Sequence, residues 1–469
     1  PGDKVYRGQV IAAEGGFVSV PLHASVTGTV SAIAKHHHPN GSLADAFVIE
    51  VEQNSPQTLY DEHATDWEEM VPSALIEHIQ RGGFVGLGGA AFPTHVKLAI
   101  PEGKHARWLL INGCECEPYL TSDHRIMLEW ADSIFLGVRV LARILGAEKS
   151  FIAVETNKWD AIKTLVSRIP ADLACELVPL ETKYPQGAEK MLIKAVLDQE
   201  VPSGKLPIDV HVVVQNVGTV AGIGDFFAFG QPLIERVVTV TGPAIRRPTT
   251  LLVPIGTRLS NILEHCGGLT ADAREILFGG PMMGTPQQFL DVPILKGTSG
   301  IVCLTEEQVK SRQEYPCIRC AACLDACPIF LNPSALGSLA RAAHYDEMMD
   351  YNIMDCMECA SCSFLCPSNI PLVQRFRVPK GLLREKQARH RAAKEAEEKR
   401  DAARLAAARS KDRCISSPAE NGSETEGGAG WDGSAAAAWA ACSADRSAAA
   451  ASGLTSAACS ANSPACWPC

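Results

Sequence analysis

The sequence predicts a multidomain protein of α/β and α+β units, followed by a helical cysteine-rich module and a tail without regular structure. Three observations point there. Residues 70–230 alternate strand-like apolar runs with amphipathic helical ones. Residues 1–55 break into short strands punctuated by Gly and Pro. Eight of the 18 cysteines fall between Cys317 and Cys366. At 469 residues the chain has room for about three domains. Hydrophobic residues at 46% and charged residues at 20% are those of a globular chain. No apolar run reaches the roughly 18 residues of a membrane span. A net charge of −10 argues against a general nucleic-acid-binding surface. The opening residues do not read as a secretory signal, and Pro1 in place of Met fits a processed or truncated start.

Residues 1–55 read as strands around Gly8-Gln9-Val10-Ile11-Ala12 and Val26-Thr27-Gly28-Thr29-Val30. They resemble the barrel-sandwich fold of biotinyl and lipoyl carrier domains. Those carriers modify a lysine on a hairpin tip. The equivalent turn, Leu22-His23-Ala24-Ser25, has none, so a structural domain is expected. His36-His37-His38 reads as a solvated turn before Pro39-Asn40-Gly41 rather than a metal site.

Residues 70–230 offer strands at Trp108–Asn112, Phe151–Glu155, Ala174–Val178 and Val210–Val214. Met127, Trp130, Ile134, Val138, Leu141 and Leu145 recur at spacings of three and four, which predicts one helix. Helices at 157–169 and 187–198 complete a Rossmann-like α/β domain. Residues 231–305 suggest a β-grasp unit, with strands Val237–Thr241 and Thr249–Val253 and a helix from Leu259 to Cys266. Residues 306–378 are the cysteine-rich module. Residues 380–413 predict a charged helix, with Glu395 and Lys399 paired at i,i+4. Residues 414–469 are Ala, Ser, Gly and Cys without period and predict disorder. Their five cysteines lack cluster spacing and are assigned no ligand role.

The module carries one pattern twice: Cys317-x2-Cys320-x2-Cys323-x3-Cys327-Pro328 and Cys356-x2-Cys359-x2-Cys362-x3-Cys366-Pro367. Two-residue spacers let three thiolates meet one cubane, and the fourth cysteine ligates the other cluster. The expected ligands are Cys317, Cys320, Cys323 and Cys366 for cluster 1. For cluster 2 they are Cys327, Cys356, Cys359 and Cys362. Zinc would be satisfied by paired cysteines and would not need this set twice. Helix-forming stretches between the copies, such as Ser334–Arg341, predict a helical twin [4Fe–4S] ferredoxin module.

Two further segments suggest a ligand site. Residues 82–94, Gly-Gly-Phe-Val-Gly-Leu-Gly-Gly-Ala-Ala-Phe-Pro-Thr, allow close backbone approach to a phosphate or a flat ring. A merely structural tight loop is the alternative. A helical segment, Ser73–Gln80, precedes this loop, so the dinucleotide fingerprint does not apply. Ile111-Asn112-Gly113-Cys114-Glu115-Cys116-Glu117-Pro118 closes a strand, where α/β sheets seat ligands. A surface acidic turn is the alternative there. Cys114 and Cys116 have no partner pair to make a metal site.

The order Gly86-x-Gly88-Gly89-Ala90-x-Phe92-Pro93-Thr94, Asn112-x-x-Glu115-x-Glu117-Pro118, Tyr184-x-x-Gly187-x-Glu189 and Gln215-Asn216-Val217-x-Thr219 resembles the flavin-binding subunit of respiratory complex I. With the N-terminal domain and the twin clusters, residues 1–380 resemble the C subunit of the ion-translocating Rnf/Rsx electron transport complexes. The resemblance implies non-covalent FMN and an NADH site. Gly86, Gly88, Gly89, Asn112, Glu115, Tyr184, Gly187, Gln215, Asn216 and Thr219 would surround FMN. Phe92 and Glu117 would face the nicotinamide nucleotide, with Glu189 near the junction. Lys97 is either a phosphate partner or a bland surface lysine. Cys114 stands where the complex I protein has an acid, and Ala188 where it has the first Glu of Gly-Glu-Glu. The resemblance further implies a peripheral subunit on the cytoplasmic face of a bacterial inner membrane, moving electrons between NADH and a ferredoxin-like partner subunit. A soluble cobalamin reductase of the same architecture and a relay with a dead nucleotide site are the alternatives.

Overall fold

The computed structural model describes residues 1–52, 54–309 and 313–415. The tail expected to be disordered lies outside these, apart from its first two residues, which end a helix.

The N-terminal strands are β1 (Lys4–Val5), β2 (Val10–Ala12), β3 (Leu22–His23), β4 (Gly28–His37) and β5 (Leu43–Val51). They form a three-stranded sheet, β1-β4-β5, and a separate β2-β3 pair. Val5, Ala24 and Val30 make a small core with Ile11, Phe47 and Ile49. Two expectations are corrected. Leu22 and His23 are strand, so the expected turn begins later. His36 and His37 end β4 instead of making a solvated turn. There His37 meets Asp291 at 3.0 Å and stacks on Phe289.

Helices α1 (Pro72–Arg81) and α2 (Thr94–Leu98) flank the glycine loop. Then come β6 (Trp108–Gly113), α3 (Ser122–Glu129), α4 (Ala131–Leu145), β7 (Lys149–Glu155), α5 (Trp159–Arg168), β8 (Cys175–Leu180), α6 (Glu189–Leu197), β9 (Val212–Asn216) and α7 (Val217–Phe229). The four strands are parallel in the order β8-β7-β6-β9. Such sheets are covered on both faces, which is why β6 and β9 are near-continuous apolar runs. The apolar period across 127–145 is two helices rather than one, because Trp130, at φ −116° and ψ 35°, interrupts it. No Pro or Gly announces that break. α4 and α7 pack backbone to backbone: a Cβ on Gly137 would lie 2.0 Å from the Val220 carbonyl.

The next unit is a mixed sheet, β11-β10-β14-β12-β13. Its strands are β10 (Glu235–Thr241), β11 (Thr249–Pro254), β12 (Ala273–Phe278), β13 (Thr285–Pro286) and β14 (Gly300–Thr305), with α8 (Leu259–His265) against them. Val238, Val240, Ile262 and Ile301 lie in its core. The cysteine-rich module holds α9 (Ala322–Asp325), α10 (Pro333–Arg341), α11 (Ser361–Phe364) and the start of α12 (Leu372–Ile415). The charged helix therefore begins before 380, and the expected boundary at 378–380 falls inside it. Its i,i+4 ion pairs include Glu385–Arg389 and Lys394–Glu398. The chain divides into two units, Pro1–Lys380 and Gly381–Cys469. The sites below belong to the first. Among the described residues no helix is long and apolar enough to cross a membrane.

Candidate flavin and cluster sites

Strand order locates the first site. The chain runs β6, β7, β8 in one direction and returns to place β9 on the other side of β6. The crevice at such a reversal, outside the carboxyl ends of the strands, is where open α/β sheets bind ligands. Asn112 ends β6 on one side of it, and Gln215 and Asn216 end β9 on the other. The glycine loop is fastened beside them. The Leu87 N–H donates to Thr219 Oγ1 at 2.9 Å, and the Gly86 N–H donates to the Phe92 carbonyl at 2.8 Å.

Several expected residues are occupied within the protein. Asn216 caps α7, accepting from the N–H groups of Gly218 and Thr219 and donating to Asp123 at 2.7 Å. Asn112 donates to the Gly187 carbonyl at 2.8 Å and accepts from the Cys114 N–H. Gly187 is required by packing, since a Cβ would lie 2.3 Å from the Cys114 carbonyl; its N–H donates to Cys116 Sγ. Burial pushes the Cys116 thiol up to about 11, which keeps it an uncharged acceptor. Glu115 accepts from Ser122 Oγ and from the N–H groups of Asp123 and His124, holding the first turn of α3. Glu117 accepts from the Met282 and Met283 N–H groups at 3.1 and 2.8 Å, so it fastens the β-grasp turn at 280–283. Burial raises its carboxyl despite those two donors. Glu189 pairs with Lys97 at 2.7 Å, and Lys97 also donates to the Val214 carbonyl.

Two features are left over for a ligand. Gln215 is 2% exposed, yet its Nε2 is buried without a hydrogen-bond partner. Buried amide donors left unpaired are costly, and they mark places where a missing acceptor belongs. Gly89, at φ +106°, would set a Cβ in open space, while a Cβ on Gly88 would only touch Asn216 at 3.6 Å. The loop thus presents bare backbone to a space that the protein does not fill. An orphan amide and a bare glycine loop at the switch point fit a flat, phosphate-bearing cofactor.

Sequence reasoning missed the charges beneath this site. Arg236, at the start of β10, is buried and donates to the Leu87 carbonyl at 2.9 Å and to the Lys296 carbonyl. Lys158 is buried with Glu155 and also reaches the Glu115 carbonyl. Asp123 is half-buried, and desolvation, then the Glu115 carboxylate, raise its carboxyl. The available signal was a charged residue opening an apolar strand, as in Glu235-Arg236-Val237-Val238.

The cysteines form two groups. Cys327, Cys356, Cys359 and Cys362 line one small cavity, with Ile329, Leu336, Val373 and Phe376 among its apolar walls. Burial pushes the Cys362 thiol up to about 12, and Cys356, Cys359 and Cys327 add to the effect. Burial likewise raises Cys323, with Cys366, Cys317 and Cys320 adding to it. Each triplet is therefore neighboured by the fourth cysteine of the other repeat. Among the described residues no group of three or more His, Cys, Asp or Glu is placed to hold a metal ion. Cys327, Cys356, Cys359 and Cys362 stand round a space, as a cubane requires. Thiolate is the donor of iron–sulfur clusters, so this set fits one. Cys317 and Cys320 are exposed, whereas Cys359 and Cys362 are buried. The two sites meet at one bond: the Tyr184 hydroxyl donates to the Cys359 carbonyl at 2.8 Å.

Comparison with known proteins agrees with this layout. Four family models match: the RnfC barrel sandwich hybrid domain at 1–54, the Nuo51 FMN-binding domain at 79–225, the SLBB domain at 237–286 and the 4Fe-4S dicluster domain at 314–370. The C subunit of the Na(+)-translocating ferredoxin:NAD(+) oxidoreductase complex of Acetobacterium woodii is 44% identical over 81% of this chain and 86% of its own length. The C subunit of the proton-translocating ferredoxin:NAD(+) oxidoreductase complex of Clostridium ljungdahlii is 44% identical over 76% of this chain and 78% of its own. The C subunit of the ion-translocating oxidoreductase complex of Rhodobacter capsulatus is 38% identical over 82% and 75%.

Proposed function

The chain belongs to the family of C subunits of the ion-translocating, Rnf-type oxidoreductase complexes, and from that premise we propose how its residues divide the work of electron transfer. It is an electron-transfer subunit with an FMN-binding domain and a dicluster domain. FMN exchanges two electrons together with a nicotinamide, and passes electrons singly to [4Fe–4S] clusters.

Gln215 supplies a donor to the flavin, Gly86, Gly88 and Gly89 supply bare backbone, and Lys97 supplies positive charge. Asn112, Glu115, Gly187, Asn216 and Thr219 act by holding these in place through the bonds described. Phe92 and Glu117 belong to the nucleotide side, Glu117 through the turn it fastens. Glu189 holds Lys97, and Tyr184 joins the flavin site to the cluster module. Cys317, Cys320, Cys323 and Cys366 ligate cluster 1, and Cys327, Cys356, Cys359 and Cys362 ligate cluster 2. The cysteine neighbourhoods support those sets. NAD(H) is the two-electron substrate, and a ferredoxin-like subunit on the cytoplasmic face of the membrane is the one-electron partner.

One observation carries the reading: Tyr184, on the strand-end crevice, bonds a cysteine of the four-cysteine cavity. The test is the visible spectrum of anaerobically purified protein before and after NADH. About eight irons per chain, one FMN, and bleaching of both chromophores are expected. FMN that is absent, or clusters that NADH never bleaches, would leave a relay with a dead nucleotide site.

A further inference from the structure

The two cysteine repeats share a backbone but differ in charge. Arg319 and Glu358 occupy the same position of the loop, with φ of 57° and 58°, and Ala321 and Ala360 follow at 65° and 63°. Each repeat ends in a helix, α10 from Pro333 and α12 from Leu372. Counted from those helix starts, or from Cys327 and Cys366, the place of Lys380 in the second repeat is Arg341 in the first, and Arg341 is exposed. Lys380 is 2% exposed. Its ammonium donates to the carbonyl of Cys356 at 2.6 Å and pairs with Glu358 at 2.7 Å. Arg377 takes the other oxygen of Glu358 at 3.3 Å. The group Lys380, Glu358 and Arg377 therefore carries one net positive charge, and its buried member touches a cysteine of the four-cysteine cavity.

We propose that Lys380 is a potential-setting residue, a fixed buried cation that raises the reduction potential of cluster 2. The proposal rests on the ligand set given above. Reduction adds one electron, and hence one negative charge, to a space walled by Ile329, Leu336, Val373 and Phe376. Apolar walls oppose that charge, because a charge gains little solvation there. A cation held beside a ligand offsets the opposition, and cluster potentials follow local charge and solvent exposure. In the first repeat Cys317 and Cys320 are exposed, and the corresponding cation, Arg341, is exposed as well.

The test is a redox titration of the full chain, isolated anaerobically and followed by electron paramagnetic resonance, with iron content measured alongside. Cys356→Ala identifies the cluster 2 signal. Lys380→Met keeps the side chain's bulk and removes its charge. It should lower the midpoint of that signal, cutting the reduced-to-oxidised ratio at fixed potential about tenfold, or about 59 mV for one electron. Lys380→Arg should stay near wild type, Glu358→Gln should shift the midpoint upward, and the cluster 1 signal should not move. If Lys380→Met loses iron, Glu358→Gln decides: an upward shift upholds the proposal and an unmoved midpoint overturns it. If Cys356→Ala removes a signal that Lys380→Met leaves unshifted, the lysine's role is overturned while the ligand set stands. If Cys356→Ala removes no signal, the ligand set itself is overturned, and the proposal with it.

Discussion

Gly88 and Gly89 look alike in the sequence and differ in the fold. Gly89 has a positive φ, so any side chain there is strained whatever the cofactor does. Gly88 is the cleaner probe, because a Cβ there makes only ordinary contact with Asn216. Gly88→Ala should leave melting temperature and iron content unchanged and lower the FMN retained after gel filtration; full flavin would mean the loop is only a turn. Asp123 gives a pH prediction. Burial raises its carboxyl above the ordinary value of 3.8. Between that value and the higher folded one, the folded state binds more protons than the unfolded state. Stability is then highest at the acid end of the interval and is lost as pH rises through it. Melting temperature should fall from pH 5 to pH 8 in the wild type and fall less in Asp123→Asn, whose carbonyl can still accept from Asn216. At this scale fixed spacing was enough to single out the glycine loop and the two cysteine repeats as candidate sites. It did not reveal that Asn112, Glu115, Glu117 and Asn216 act through internal bonds. That depends on which backbone groups the fold leaves unpaired, and no spacing encodes it.

Among the elements, the four parallel strands of the flavin domain were legible to within two residues because buried parallel strands are apolar throughout, whereas β5, β12, β13 and β14 were not read as strands. Helix continuity was not legible, since the same period runs through both α3 and α4 while Trp130 turns the chain between them. The small residues of α7 were equally silent. Gly224 exists because a Cβ there would lie 2.0 Å from the Ser133 carbonyl of α4. Gly224→Ala must push the two helices apart, and overpacking of this kind costs about 1–3 kcal/mol. Denaturant unfolding of the flavin domain should shift by that amount, with the iron content of the separate cluster module retained. An unchanged unfolding midpoint would show that the α4–α7 contact gives way without strain.

For the whole molecule, the asymmetry of the cluster module predicts an order of electron transfer. In the cavity of Cys327, Cys356, Cys359 and Cys362 the last two are buried, and the Cys359 carbonyl accepts from Tyr184. Lys190 and Asp355, at 3.5 Å, join the same two domains a second time. The other group has Cys317 and Cys320 exposed at the surface. An electron leaving the flavin site should therefore reach cluster 2 first and cluster 1 second. Two variants separate this order from its reverse. Cys366→Ala impairs cluster 1 if the crossed ligand sets hold, and NADH should still bleach cluster 2 at the wild-type rate. Cys356→Ala impairs cluster 2, and NADH should then reduce FMN while cluster 1 stays oxidised over the same seconds. Freeze-quenched samples read by electron paramagnetic resonance distinguish the two clusters. Prompt reduction of cluster 1 in Cys356→Ala would mean that the exposed cluster is loaded directly, and that the Tyr184 contact is a structural joint between domains rather than the side on which electrons enter.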